Sequence, residues 1–188
     1  MLAGVVVVGF GAAGACAAIE AADAGADVIV LDRFDGGGAT ALSGGVVYAG
    51  GGTAQQVKAG IADTSDAMYD YLKHEVGDAV TAQTLRAFCY GSPDLLNWLE
   101  DKGVPFAASV CPYKTSYPTD RHYLYYSGSE TLYDNPAPRG HRTAGRGTSG
   151  KLLFHRLERA AIDRGVRIVR QTTAQRRIAA RRNFFTTP

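Results

Sequence analysis

The chain has 188 residues, 46% hydrophobic and 20% charged, enough apolar content for one domain with a sizeable core. Its net charge of +2 conceals a split: residues 1–155 hold 11 Lys/Arg against 16 Asp/Glu, whereas residues 156–188 hold 9 against 2. No apolar run reaches the roughly 18 residues of a membrane span, no RNA- or DNA-binding motif accompanies the basic stretch, and the sequence enters a strand pattern directly, so no secretory leader is expected.

Val5 to Val8 form a β-branched run that suits a strand buried on both faces. Gly9-Phe10-Gly11-Ala12-Ala13-Gly14 follows at once, then an alanine-rich helix over Ala15 to Ala24 that Gly25 stops. Asp27 to Asp32 returns as a second strand. This is a βαβ unit with the dinucleotide fingerprint in place: Gly9 for the turn, Gly11 for close approach of a pyrophosphate, Gly14 for close packing of helix on strand. Amides at the helix start face the phosphates. Asp32 ends the second strand, where a carboxylate can accept from ribose hydroxyls.

The next stretch separates a flavin from a nicotinamide nucleotide. Eight glycines fall between Gly36 and Gly52, a density that implies close backbone approach to something large.

Beyond Thr53 the pattern turns helical. Thr53 to Ile61 is weakly so, and Asp63-Thr64-Ser65 caps a helix over Asp66 to Glu75 with an apolar stripe of Ala67, Met68, Tyr71 and Leu72. Thr81 caps a helix through Tyr90. Ser92-Pro93-Asp94 reads as the start of another, closed by Gly103, with Trp98 in the core beside Leu95 and Leu99. From Val104 to Gly147 the chain reads as irregular loops and short strands, rich in tyrosine, either a surface able to take a flat apolar ligand or an ordinary loop layer covering the core. Tyr125 and Tyr126 alternate in a short strand, so at most one faces a ligand. Gly145 to Lys151 mimics a P-loop, but Leu152 replaces the magnesium-binding hydroxyl, and Thr148-Ser149 reads better as the start of a helix through Arg164. Val166 to Val169 is the next strand. The arginines from Arg156 to Arg170 are spread along helix and strand, as on a solvated face, which argues against a nucleic-acid partner.

Cys16, Cys89 and Cys111 lack metal spacing and read as buried thiols of a cytoplasmic protein, with no metal site expected. His74, His122, His141 and His155 pair with no carboxylate in a recognisable site and are expected on the surface.

With these motifs the sequence resembles the flavoproteins of the fumarate reductase and 3-ketosteroid dehydrogenase family, in particular the Δ4-3-ketosteroid 5α-dehydrogenases. The block GGGATALSGGVVYAGGG over 36–52 carries most of the resemblance, with NWLEDKGVPF (97–106), LYYSGSE (124–130) and APRGH (137–141). It implies an α/β fold, a Rossmann-like FAD-binding domain with a parallel sheet and helical excursions, incomplete at the C-terminus. The domain would run over 1–180: fingerprint and flavin loop at 1–52, helices at 53–103, the tyrosine-rich region at 104–147, and the helix and strand that rejoin the sheet at 148–178. A tail at 181–188 matches nothing in the family, so the chain reads as a fragment. The resemblance also implies FAD contacts from Gly9, Gly11, Ala12, Ala13, Gly14, Asp32, Arg33, Ala39, Thr40, Ser43, Gly44, Gly45 and Ala174, with Asp32 where many members have glutamate. No histidine falls between Gly36 and Gly52, so FAD would be non-covalent. The implied activity is oxidation of a C–C bond next to a ketone, with a 3-ketosteroid as small-molecule substrate. A dicarboxylate-reducing flavoprotein and a non-catalytic remnant are the alternatives. The resemblance puts the family's acid and base beyond residue 188, so no catalytic residue is nominated, and the oligomeric state stays open.

Overall fold

The computed structural model describes residues 3–175; the expected tail at 181–188 lies outside them. In chain order the elements are β1 (Val5–Val8), α1 (Ala12–Asp23), β2 (Val28–Leu31), α2 (Gly38–Leu42), β3 (Val46–Tyr48), α3 (Ala54–Lys58) and α4 (Ser65–Val76). There follow α5 (Ala82–Asp101), β4 (Leu124–Tyr125), β5 (Gly140–Arg142), α6 (Gly150–Asp163) and β6 (Arg167–Val169).

The first sheet is parallel, in the order β1-β2-β6. Val5 lies opposite Val28 and Ile29 opposite Arg167. β2 is central and its Val28, Ile29 and Val30 are buried. β1 corrects the sequence reading: among the described residues it forms an edge, and Val6 and Val8 are 55% and 66% exposed. A run of valines records strand propensity and not how many faces are covered. α1 starts at Ala12, inside the fingerprint, and packs Ala15, Ala18 and Ile19 into one core with Leu153, Leu157 and Ala161 of α6. Phe10 meets Phe154 edge to face at 5.2 Å in the same core.

A second sheet, antiparallel in the order β3-β5-β4, was not evident in the sequence. Its strands have two or three residues, too few for period-two alternation to register. Two of them come from the region read as irregular loops and short strands, and β4 is the short strand expected at Tyr125, which ends before Tyr126.

α5 is a single helix of 20 residues, contrary to the reading of two, and Pro93 sits inside it. Ser92 is buried rather than capping, and its hydroxyl donates to the Phe88 carbonyl at 3.0 Å. Burial of Leu85, Cys89, Leu96 and Leu99 along one face outweighs the hydrogen bond that proline forfeits. That face is rotated from the expected one. Leu95 is 39% exposed and Trp98 is half-buried, donating to Glu20 at 2.6 Å.

Within the expected capping cluster Thr64 is the cap of α4, accepting from the Ala67 amide at 3.1 Å. Asp63 instead forms a bidentate pair with Arg139, at 2.7 and 3.0 Å, both side chains 1% exposed. It also accepts from the Gly51 amide and Gln56, which ties the loop after β3 to the approach to β5. Beside this pair His141 corrects the expectation of surface histidines, being 1% exposed. Its Nδ1–H donates to the Arg139 carbonyl at 3.1 Å, which leaves Nε2 to accept from the Thr53 hydroxyl at 2.9 Å.

Both groups weaken the fold in acid. Burial pushes the His141 pKa down to about 4, below the ~6.5 of an unfolded histidine. Its contribution is therefore complete above about pH 6.5 and is lost as pH falls towards 4, about 3 kcal/mol in all. Burial works against the Asp63 charge, but the Arg139 guanidinium and the Gly51 amide hold its pKa below the usual carboxylate range, so its contribution goes at still lower pH. Urea unfolding should show a clear loss of stability between about pH 7.5 and pH 5, and His141→Asn should flatten that dependence. An unchanged slope in the variant would contradict this assignment.

Candidate cofactor site

β1 ends at Val8, and Gly9 turns the chain with φ of +96° while its amide donates to the Leu31 carbonyl at 2.8 Å. One turn into α1, a Cβ on Gly14 would collide with the Gly9 carbonyl oxygen and come within 3.4 Å of Val7. Helix and strand thus approach as closely as the fingerprint implies. Gly11 differs. Its φ of −91° and ψ of −165° suit any residue, and a Cβ would meet nothing nearer than the Thr40 hydroxyl at 3.6 Å.

The helix start is a cluster of donors. The Ala12 amide donates to Thr40 Oγ1 at 3.1 Å, while the amides of Gly11, Ala13 and Gly14 have no acceptor among the described residues. They are the orphan donors of a helix N-terminus, where the dipole favours negative charge.

In front of them lies a cleft of about 780 Å³ that runs from Gly9 and Gly11 past Asp32 and Arg33 to Thr172–Ala174. Asp32 pins its rim: Oδ2 accepts from the Phe10 amide and Oδ1 from the Phe34 amide, each at 2.7 Å. Each oxygen keeps a second lone pair. The chain after β6 closes the far side, where the Thr172 amide donates to the Asp32 carbonyl at 2.8 Å. Gly9, Gly11, Asp32, Arg33 and Ala174 therefore meet in one cleft, with Ala12, Ala13 and Gly14 at the helix start beside it. Ala39 and Thr40 lie on α2. Sequence reasoning missed Phe10, Phe34, Gly38 and Thr172 among the lining residues. Of these, Phe10 and Gly38 carried a signal, lying inside the two glycine-rich loops.

The second glycine loop does not line this cleft at Ser43, Gly44 and Gly45. A Cβ on Gly44 would lie 2.5 Å from the Tyr117 ring, and one on Gly45 would lie 2.6 Å from the Ser149 backbone. These glycines admit the chain's own packing, a use of glycine that the sequence reading did not foresee. The start of α6 is used in the same way. Ser149 and Gly150 amides donate to the Gly44 and Ser43 carbonyls at 3.4 and 3.2 Å, which excludes the P-loop lookalike as a phosphate cradle.

The tyrosine-rich region also turns inward. Tyr125 is 2% exposed, and Tyr117 and Tyr123 flank the fully buried Arg142 with ring centroids 4.7 and 5.1 Å from its guanidinium carbon. These tyrosines serve as a layer over the core, one of the two uses that the composition allows, while Tyr113 is 53% exposed. Arg159, Arg164, Arg167 and Arg170 are each paired with a carboxylate. Among the described residues there is no metal-holding cluster and no helix long and apolar enough to cross a membrane. Gly14→Ala should lower stability by about 1–3 kcal/mol through the forced separation of α1 from β1, measurable as a lower urea midpoint; a neutral substitution would contradict the contact.

A family model described as FAD binding domain matches residues 4–181. A 3-oxo-5-alpha-steroid 4-dehydrogenase of Comamonas testosteroni is 49% identical over 180 residues, 92% of this chain and 34% of that protein. The structure of 3-ketosteroid-delta4-(5alpha)-dehydrogenase from Rhodococcus jostii RHA1, in complex with 4-androstene-3,17-dione, matches 90% of this chain and 38% of its own, with a TM-score of 0.83 and 41% identity. The open conformation of a flavocytochrome c3 fumarate reductase matches 88% of this chain and 26% of its own, with a TM-score of 0.72 and 26% identity. The chain spans about a third of the length of the steroid dehydrogenase relative. Together with the parallel sheet and the donor cluster at the start of α1, these matches show that the chain belongs to the FAD-binding domain family, among the flavoproteins that include fumarate reductases and 3-ketosteroid dehydrogenases.

Proposed function

We propose that this chain is the FAD-binding portion of a flavin-dependent oxidoreductase that dehydrogenates a carbon–carbon bond adjacent to a ketone, with 3-ketosteroids as the substrate class. The observation that carries the cofactor assignment is Gly11, a glycine that neither backbone angle nor neighbouring atom of the protein requires. It fronts the free amides of Ala13 and Gly14, so the residues present fit a pyrophosphate that must come close to the backbone.

In this reading Gly9 to Gly14 hold the pyrophosphate and Asp32 the adenosine ribose, with Arg33 and Ala174 beside the adenine. Ala39, Thr40, Ser43, Gly44 and Gly45 lead towards the ribityl chain and ring. Asp32 serves both as acceptor for the ribose and as the clasp between Phe10 and Phe34. The domain comprises residues 1–180, with its cofactor non-covalent, since no histidine falls in the flavin loop. When bound, FAD supplies the hydride acceptor; the residues of this chain bind it, orient it and neutralise its phosphates. None is nominated as acid or base. The steroid assignment is supported by the relatives' substrates, which their names state, over the larger share of this chain. Dicarboxylate reduction is the second reading, supported by the fumarate reductase match at 26% identity. The three free cysteines support a cytoplasmic setting.

Gly11→Ala separates cofactor binding from folding. The variant should keep its unfolding free energy within about 0.5 kcal/mol of wild type and bind FAD about tenfold more weakly or worse, read by quenching of flavin fluorescence. Unchanged FAD affinity would contradict the placement of the pyrophosphate.

A further inference from the structure

We infer that Phe34, with the Arg33 guanidinium laid over its ring, is the platform on which the adenine of the cofactor stacks. This rests on the FAD reading above and adds to it a binding residue that lies in neither glycine-rich loop.

The two oxygens of Asp32 give the cleft its direction. Oδ2 takes the Phe10 amide, on the side of the helix start and its free N–H groups, whereas Oδ1 takes the Phe34 amide. A nucleotide with its pyrophosphate at those N–H groups and its ribose at Asp32 carries its base past the carboxylate. The cleft is lined there by Arg33, Phe34, Thr172, Thr173 and Ala174.

That wall is held by its backbone. Four hydrogen bonds lace residues 32–35 to the chain around the end of β6. The Thr172 amide donates to the Asp32 carbonyl at 2.8 Å and the Gln171 amide to the Phe34 carbonyl at 3.2 Å. Gln171 Nε2 donates to Asp35 Oδ1 at 2.9 Å, and Arg170 Nε to the Asp35 carbonyl at 3.0 Å. Within this lacing Gln171 takes a φ of +53°, in the left-handed region that residues with a side chain seldom enter.

Phe34 is therefore bonded through both its N–H and its carbonyl, while its ring stays 60% exposed beside the cleft. A single exposed ring is ordinary on a protein surface. This one has company, since Val8 and Leu42, 66% and 84% exposed, line the same cleft. It also carries a cation: the Arg33 guanidinium carbon lies 4.7 Å from the ring centroid. A phenyl ring and a guanidinium plane are the two side-chain surfaces on which nucleic bases stack. Stacking of this kind is felt only by a ligand that carries a base, which separates it from the phosphate and ribose contacts.

The test uses the full chain and three probes: FAD, ADP, and ribose 5-diphosphate, which is ADP without its base. Phe34→Ala removes the ring and keeps the main-chain bonds. It should weaken FAD and ADP about tenfold and ribose 5-diphosphate less than about twofold. Phe34→Trp keeps a flat ring and should bind ADP within about twofold of wild type. Its emission beyond that of Trp98, the chain's single tryptophan, should be quenched as ADP saturates. Unchanged FAD and ADP affinities in Phe34→Ala, or ribose 5-diphosphate weakened as much as ADP, would overturn the platform alone. If the alanine variant folds poorly the tryptophan variant decides, and an added emission unmoved at saturating ADP overturns the platform. A wild-type chain that binds neither FAD nor ADP would overturn the FAD reading itself, and this inference with it.

Discussion

The contact between α1 and β1 at Gly14 governs the site, because the direction of a helix fixes the direction of its unpaired amides. Any Cβ there would lever the helix off the strand, and the amides of Gly11, Ala13 and Gly14 would turn away from the cleft. The closeness is secured from behind by the core that α1 shares with α6, and from in front by Thr40, whose hydroxyl takes the Ala12 amide. The cleft is thus a consequence of packing, and the donors at its helix end are free N–H groups of the backbone, with Asp32 and Arg33 further along its wall.

The second sheet is organised by different means. It is small, and two guanidinium groups from one stretch, Arg139 and Arg142, are buried where an apolar core would otherwise be expected. Burying a charge costs several kcal/mol and is tolerated only when the partner set is complete. Arg142 meets that condition with carbonyls, a phenol and a carboxylate, whereas Arg139 meets it in part, with Asp63 on two of its three nitrogens and Nη1 buried without a partner among the described residues. Because those partners are Asp63, in the link between α3 and α4, and the loops at 117–120 and 145–147, each arginine imposes order on segments with no regular structure of their own. The glycines of the second loop belong to the same design, since close approach of Tyr117 and α6 needs backbone without side chains.

How much of this was legible follows from how local each signal is. The βαβ unit, the role of Gly14, the placement of Asp32 at the end of β2 and the return of β6 rest on neighbouring residues and were readable. Ser92-Pro93-Asp94 misled because its local start signal was sound but was overruled by contacts of Leu96 and Leu99 elsewhere in the core. Val6 and Val8 misled because propensity does not distinguish an edge from a centre. The pairing of Asp63 with Arg139, 76 residues apart, and of Tyr117 with Gly44, 73 apart, has no trace in spacing. The glycine block over 36–52 identified the family while its physical reading was incomplete, since part of it serves the protein's own packing.

Titration of the isotopically labelled chain with FAD, followed by amide nuclear magnetic resonance, tests the central claim most directly, because it reads the backbone donors one by one. The account predicts that the amides of Gly11, Ala13 and Gly14 show the largest shifts, with the signals of Phe10 and Phe34 moving as Asp32 takes on the ribose. Shifts concentrated elsewhere, with those three amides unmoved at saturating FAD, would contradict it.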